Sequence, residues 1–149
     1  RAKLRAMHLL SDMGRTESQL RTKLKQGGYP DEAVEEAIRY VKSFGYINDA
    51  EYVRSFIDSR KEKKSKKEIY AALKQKGVDS DIIEQVFEEM DYGEEDSRQA
   101  IEALMRKRNY NPDSADLKEK QKLMGYLMRK GFRYEDVNSV LNSADSDIW

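Results

Sequence analysis

Apolar residues along the chain recur at helical spacing, and the recurrence is itself periodic. Counting from Thr16, apolar or glycine positions fall at Leu20, Leu24, Gly28, Tyr29, Val34 and Ile38. The same offsets from Ser65 give Ile69, Leu73, Gly77, Val78, Ile83 and Phe87, and from Glu119 they give Leu123, Leu127, Gly131, Phe132, Val137 and Leu141. Apolar residues four apart share one helical face, and a glycine just past the last turn takes the left-handed conformation that ends the helix without a Cβ clash. Each copy therefore predicts a helix, a tight stop and a second helix, with the residue after the glycine folded back over the turn.

One more amphipathic segment precedes each pair: Lys3 to Asp12, Ala50 to Lys63, and Glu94 to Arg108. In the second of these, Tyr52, Val53, Phe56 and Ile57 form one broad apolar face, and Ala100, Ile101, Leu104 and Met105 repeat that spacing in the third. Thr16 with Gln19, Ser65 with Glu68 and Asn48 with Glu51 are capping pairs that mark helix starts. Glu119 does not fit that pattern. The corresponding helix is expected to begin near Asp113 or Ser114, after Pro112, and to be the longest of its kind.

No segment of alternating apolar and polar residues rivals these stripes, so no sheet is expected. The predicted fold class is all-α, a tandem array of three three-helix repeats over residues 1–47, 48–92 and 93–149. A three-helix unit of this size is marginal alone. Neighbouring repeats are therefore expected to stack into a curved, elongated helical solenoid with a concave side suited to binding.

Composition narrows the class. Among 149 residues there is no cysteine, which removes disulfides, thiolate nucleophiles and cysteine zinc sites, and a reducing, cytoplasmic setting is expected. No apolar run approaches the roughly 20 residues that span a bilayer, and Arg1-Ala2-Lys3-Leu4 is not followed by a signal-peptide core. A chain that opens on Arg1 rather than methionine is expected to lack an N-terminal piece.

Lys plus Arg (28) balances Asp plus Glu (28), which argues against a simple polyanion binder, yet the sign alternates along the chain. It is about +5 over residues 1–28, about +6 over 60–76, about −9 over 78–96, about +6 over 97–133 and about −4 over 134–149.

Catalysis requires a positioned acid, base, nucleophile or metal. The lone histidine, His8, sits beside Leu4, Met7 and Leu9 and reads as structural or exposed, so the chain is expected to be a binding protein without cofactor or metal rather than an enzyme. Gly27-Gly28 reads as a helix stop, not a phosphate cradle. The carboxylates Glu88, Glu89, Asp91, Glu94, Glu95 and Asp96 lack a calcium-loop pattern and read as a solvated linker and helix start.

The run Arg60, Lys61, Lys63, Lys64, Lys66 and Lys67 concentrates like charges that repel unless screened, which favours contact with phosphates or an acidic protein groove. Basic residues recur in the flanking repeats: Arg15, Arg21, Lys23 and Lys25 before it, Lys118, Lys120 and Lys122 after it. The aromatics Tyr29, Tyr52, Phe56, Phe87 and Phe132 occupy repeat positions and are expected in the core. Trp149 is left as either a frayed end or an anchor.

The stretch Gly45-Tyr46-Ile47-Asn48-Asp49-Ala50-Glu51-Tyr52, with Arg54-Ser55-Phe56, Arg60, Ile69, Leu73 and Lys76-Gly77-Val78, resembles the central repeat of the RecX family. Residues 15–24 resemble that family's opening signature, and with the third repeat the likeness covers essentially the whole chain. It departs at Lys64-Ser65, where glycine is common, and in a lengthened connection from Asn109 to Asp116.

The resemblance implies a regulator that binds the RecA recombinase filament, lodges in its groove and restrains ATP hydrolysis, strand exchange and the SOS coprotease activity. Single-stranded DNA in or near the filament is the second implied partner, and a monomer is expected. The basic positions that match the central motif are Arg54, Arg60, Lys64, Lys67 and Lys76. With the basic run and its flanks, the expected filament-facing set is Arg21, Lys23, Lys25, Arg54, Arg60, Lys63, Lys64, Lys66, Lys67, Lys74, Lys76, Lys118, Lys120 and Lys122.

Two competing readings are a helix-turn-helix-like DNA-binding protein and a generic helical scaffold. Carboxylates dominate the expected third helices, 31–42, 79–90 and 134–141, and duplex phosphates would repel them.

Overall fold

The computed structural model describes residues 1–142, which hold nine helices and no strand. Trp149 lies outside the described residues. The helices are α1 (Ala2–Asp12), α2 (Glu17–Gln26), α3 (Asp31–Ser43), α4 (Asp49–Arg60), α5 (Lys66–Gln75), α6 (Ser80–Glu89), α7 (Glu94–Lys107), α8 (Leu117–Arg129) and α9 (Tyr134–Leu141).

The capping pairs form as expected. The Gln19 amide donates to Thr16 Oγ1 at 3.1 Å while the Thr16 amide donates to Gln19 Oε1 at 3.1 Å. Ser65 and Glu68 repeat the exchange at 3.1 and 3.1 Å, and the Glu51 amide donates to Asn48 Oδ1 at 3.1 Å. At the stops, Gly28, Gly77 and Gly131 take φ of +87°, +86° and +102°, the region a side chain resists.

Two boundaries differ from expectation by more than one residue. Helix α8 starts at Leu117 rather than near Asp113 or Ser114, because Asn111 holds those residues in a turn. Its side chain accepts the Asp113 amide at 3.0 Å, and its carbonyl accepts the Ser114 and Ala115 amides at 3.2 and 2.9 Å. Asp116 is the cap, accepting the Glu119 amide at 2.8 Å; at 13 residues α8 still exceeds the 10 of α2 and of α5. Helix α4 ends at Arg60 rather than Lys63, since the Lys63 and Lys64 amides both fold onto the Arg60 carbonyl at 2.9 Å. That turn frees Ser65 to cap α5.

The chain divides into two compact units, one of residues 1–56 with 72–90, the other of 57–71 with Asp91 onward. In the first, Ala2, Ala6 and Leu9 of α1 pack with Leu20 and Leu24 of α2, with Val34, Ala37, Ile38 and Val41 of α3, and with Ile47. In the second, Ala100, Ile101, Leu104 and Met105 of α7 pack with Leu123 and Leu127 of α8, with Phe132, and with Val137, Val140 and Leu141 of α9. The corresponding positions of the central repeat, from Val53 through Ile69 and Leu73 to Phe87, are buried as well. Every apolar repeat position named from the sequence is therefore buried, apart from half-buried Tyr29 and Tyr52.

Each unit contains a helix start locked onto a helix stop from the following repeat. Thr16 Oγ1 donates to the Lys76 carbonyl at 2.7 Å in the first unit, and Ser65 Oγ donates to the Lys130 carbonyl at 2.6 Å in the second. Among the described residues these two hydroxyls belong to the buried polar side chains, 0% and 1% exposed. Each accepts a helix N–H and donates to a carbonyl that would otherwise be left without a partner at a helix end. The stop glycines permit the approach. A Cβ on Gly77 would lie 2.2 Å from Ser18 Oγ, and one on Gly131 would lie 2.9 Å from Lys67 Cβ and 3.0 Å from Ser65 Oγ.

Candidate functional site

In the first unit the basic residues divide between internal pairs and open surface. Arg21, on α2, is committed inward: its Nε donates to Glu35 Oε2 at 2.8 Å, and its Nη2 to Glu35 Oε1 at 3.0 Å and Glu17 Oε2 at 3.2 Å. Lys42 reaches the other Glu17 oxygen at 2.9 Å. These hydrogen bonds from Lys42 and Arg21 hold the Glu17 carboxyl below its ordinary range. Asp49, at the start of α4, accepts the Glu17 amide at 2.8 Å, and burial raises its pKa. Arg54 is paired with Glu51 and, at 3.0 Å, with Glu89.

Lys23 and Lys25 lie exposed in the last turn of α2, where they complement the helix dipole. Lys23 lines a groove of about 340 Å3 with Arg15, Ser18, Thr22 and Lys76. Lys74 is exposed near the end of α5, and the Lys76 ammonium stands 5.7 Å from the Phe56 ring centroid.

The second unit carries the denser cationic surface. Arg60, Lys63 and Lys64 are exposed, and Lys66 and Lys67 open the first turn of α5. Arg60 donates to Ser59 Oγ at 2.6 Å, and the Lys66 ammonium lies 5.9 Å from the Tyr92 ring centroid. Lys63, Lys64 and Lys67 have no ion-pair partner among the described residues. The three lysines of α8 do not share one face: Lys118 and Lys122 are exposed, one turn apart, while half-buried Lys120 donates to Asn142 Oδ1.

Beside the basic turn opens a cavity of about 560 Å3 that sequence reasoning did not find. Its walls come from the start of α5, the turn before α7 and the start of α9: Ser65, Lys66, Lys67 and Tyr70, then Tyr92, Gly93, Glu94 and Ser97, then Gly131, Phe132, Arg133 and Asp136. Burial raises the pKa values of both Tyr92 and Asp136. The signal available in the sequence was Asp136 itself, an acid at an inward helical position one residue before the buried repeat valine Val137. Among the described residues no group of His, Cys, Asp and Glu is arranged to hold a metal ion, and no helix is long and apolar enough to cross a membrane.

Tandem three-helix repeats, with helix starts locked onto helix stops, define a class of all-α repeat protein. Family models for the first, second and third three-helix domains of RecX match residues 2–40, 48–86 and 94–141. A regulatory protein RecX of Caldanaerobacter subterraneus subsp. tengcongensis is 35% identical over 142 residues, covering 95% of this chain and 69% of that protein. One from Clostridium botulinum (strain Alaska E43) is 30% identical over 131 residues, covering 87% of this chain, which spans only 62% of that relative's length.

The crystal structure of RecX from Lactobacillus salivarius superimposes with a TM-score of 0.80 over 97% of this chain and 95% of that one at 22% identity, a likeness of fold. A second crystal structure of a regulatory protein RecX gives a TM-score of 0.74 at 25% identity, over 95% of this chain and 70% of that one. The chain belongs to the RecX family.

Proposed function

We propose that this chain is a regulator that binds the RecA recombinase filament, together with the single-stranded DNA it holds, and restrains ATP hydrolysis, strand exchange and SOS coprotease activity. It acts as a cytoplasmic monomer by binding, without chemistry of its own. The observation that carries this reading is the turn from Arg60 to Lys67, where Lys63, Lys64 and Lys67 stand exposed with no ion-pair partner among the described residues. Holding unneutralised like charges together on a structured turn costs free energy that a polyanionic or acidic partner would recover. Membership in a family of proteins named as regulatory supports the role.

Arg21 and Arg54 belong to internal ion-pair networks, so the contact narrows to Lys23, Lys25, Lys74 and Lys76 in the first unit and to the 60–67 turn, Lys118 and Lys122 in the second. Sequence-specific duplex binding is the weaker reading. The first turns of the third helices carry Asp31 and Glu32, Asp81, and Glu135 with Asp136, which would meet phosphates with like charge.

A titration of RecA filaments formed on single-stranded DNA tests the proposal. The protein should slow ATP hydrolysis at ratios at or below one per RecA, and Lys63→Glu/Lys64→Glu/Lys67→Glu should raise the concentration for half-inhibition by at least about tenfold. An unchanged ATPase rate across the titration, or full inhibition by the triple variant, refutes it.

A further inference from the structure

The cavity beside Ser65 has a lining that packing does not explain. Tyr70, Tyr92 and Phe132 give it aromatic surface, and Lys66, Lys67 and Arg133 bring positive charge to the same walls. Its volume of about 560 Å3 lies inside the range of roughly 300–1,000 Å3 typical of small-molecule sites. Two carboxylates, Glu94 and Asp136, also face it. A site for phosphate alone would exclude them, and a site for an apolar side chain would need neither them nor the cations.

Internal comparison singles out Asp136. Measured from the stop glycines, Asp136 in the second unit corresponds to Ile82 in the first, five residues past Gly131 and Gly77 respectively. A half-buried position filled by isoleucine in one repeat holds an acid in another. Burial raises the pKa of that acid, Glu94 and Glu135 add to the rise, and Arg133 opposes it. The retained cost points to a ligand that returns hydrogen bonds to the carboxylate.

We propose that this cavity binds one nucleoside phosphate unit, with the base against the aromatic walls, the phosphate near Lys66, Lys67 and Arg133, and a base amino group donating to Asp136. Aromatic walls accept any base by stacking, and cations at the rim hold the backbone. The carboxylate adds selection, because cytosine, adenine and guanine carry an exocyclic amine and thymine does not. The site thereby favours amino-bearing bases over thymine. The proposal deepens the reading of the protein as a binder of filament-held single strands, and the same chemistry could come from a free nucleotide.

Fluorescence anisotropy of the full chain with labelled 15-nucleotide dC and dT strands, at one fixed salt concentration, tests it. The dC strand should bind at least about fivefold more tightly. Asp136→Ala, which removes the acceptor, should bring the ratio close to one, and Tyr70→Ala should weaken both strands at least about threefold. Circular dichroism and melting curves check that both variants fold, and Lys66→Gln, at an exposed position, supplies a third variant expected to weaken both strands.

Competition by free CMP but not TMP places a single nucleotide in the site. Strand discrimination without CMP competition assigns the base to a strand held by its neighbouring phosphates. Equal affinity of the wild type for dC and dT overturns the proposal, as does a dC preference that survives Asp136→Ala. If base preference vanishes while RecA ATPase is still inhibited, only the cavity assignment fails. If preference stands while the ATPase is untouched, only the regulatory reading fails.

Discussion

The two units build the same lock and line it differently. In both, a buried hydroxyl at the start of a second helix reaches the carbonyl just before a stop glycine, Thr16 to Lys76 in one and Ser65 to Lys130 in the other. Around the first lock lies a polar groove of about 340 Å3; around the second, an aromatic cavity of about 560 Å3. The difference follows from substitutions at equivalent positions. Glu17, bound to Arg21 and Lys42, is replaced by Lys66; Arg21 is replaced by Tyr70; Ile82 is replaced by Asp136. Asp49, which accepts the Glu17 amide, is matched at the start of the next repeat's first helix by Glu94, which lines the cavity. One backbone device thus gives an internally neutralised junction in one unit and a charged, aromatic recess in the other.

The stop glycines are where the comparison breaks most sharply. Gly77→Ala should cost about 3 kcal/mol, because a positive φ is compounded by a Cβ inside the Ser18 side chain. Gly131→Ala should cost slightly less, its nearest contacts being 2.9 and 3.0 Å, and Gly28→Ala only about 1 kcal/mol, since nothing lies within 4 Å. Denaturant melts of the three variants check the order, and equal costs would mean that backbone conformation alone, not the lock, selects glycine.

Removing the hydroxyls comes next. Ser65→Ala and Thr16→Val should each lose about 2 kcal/mol, combining a lost cap with a buried carbonyl left unpartnered. A cap alone predicts about 1 kcal/mol, so melting curves separate the two roles.

The smallest effect is electrostatic and is read at Glu17 in the first unit. Glu17 has a folded pKa below its unfolded value, so its stabilisation is present above the ordinary glutamate pKa of about 4.3 and is lost as pH falls through the folded value. Asp49 has the opposite sign: its raised pKa means that ionisation opposes folding, and protonation relieves it. Glu17→Gln should therefore lower stability at pH 7 by about 0.5 kcal/mol and flatten the acid limb of a Tm against pH profile below pH 5.

The basic residues show where sequence reasoning stopped. Lys63, Lys64 and Lys67 could be read as exposed because a dense cationic turn has no apolar face to bury. Arg21 and Arg54 carry the same charge in the sequence, yet Glu35 and Glu89 reach them from other helices, and side-chain type alone cannot report that pairing. Lys118, Lys120 and Lys122 look alike in a list but point around α8.

Periodicity, capping pairs and stop glycines are local codes, each acting within a few residues, so helix number, helix order and the buried stripe were determined by the sequence alone. Where α8 begins was decided by a turn at Asn111 that competed with the expected start. The start-to-stop locks join residues sixty or more positions apart, and the cavity takes its walls from three separate helices or turns. A hydroxyl that caps its own helix carries no mark of the distant carbonyl it will also meet, because that partner is supplied only by packing.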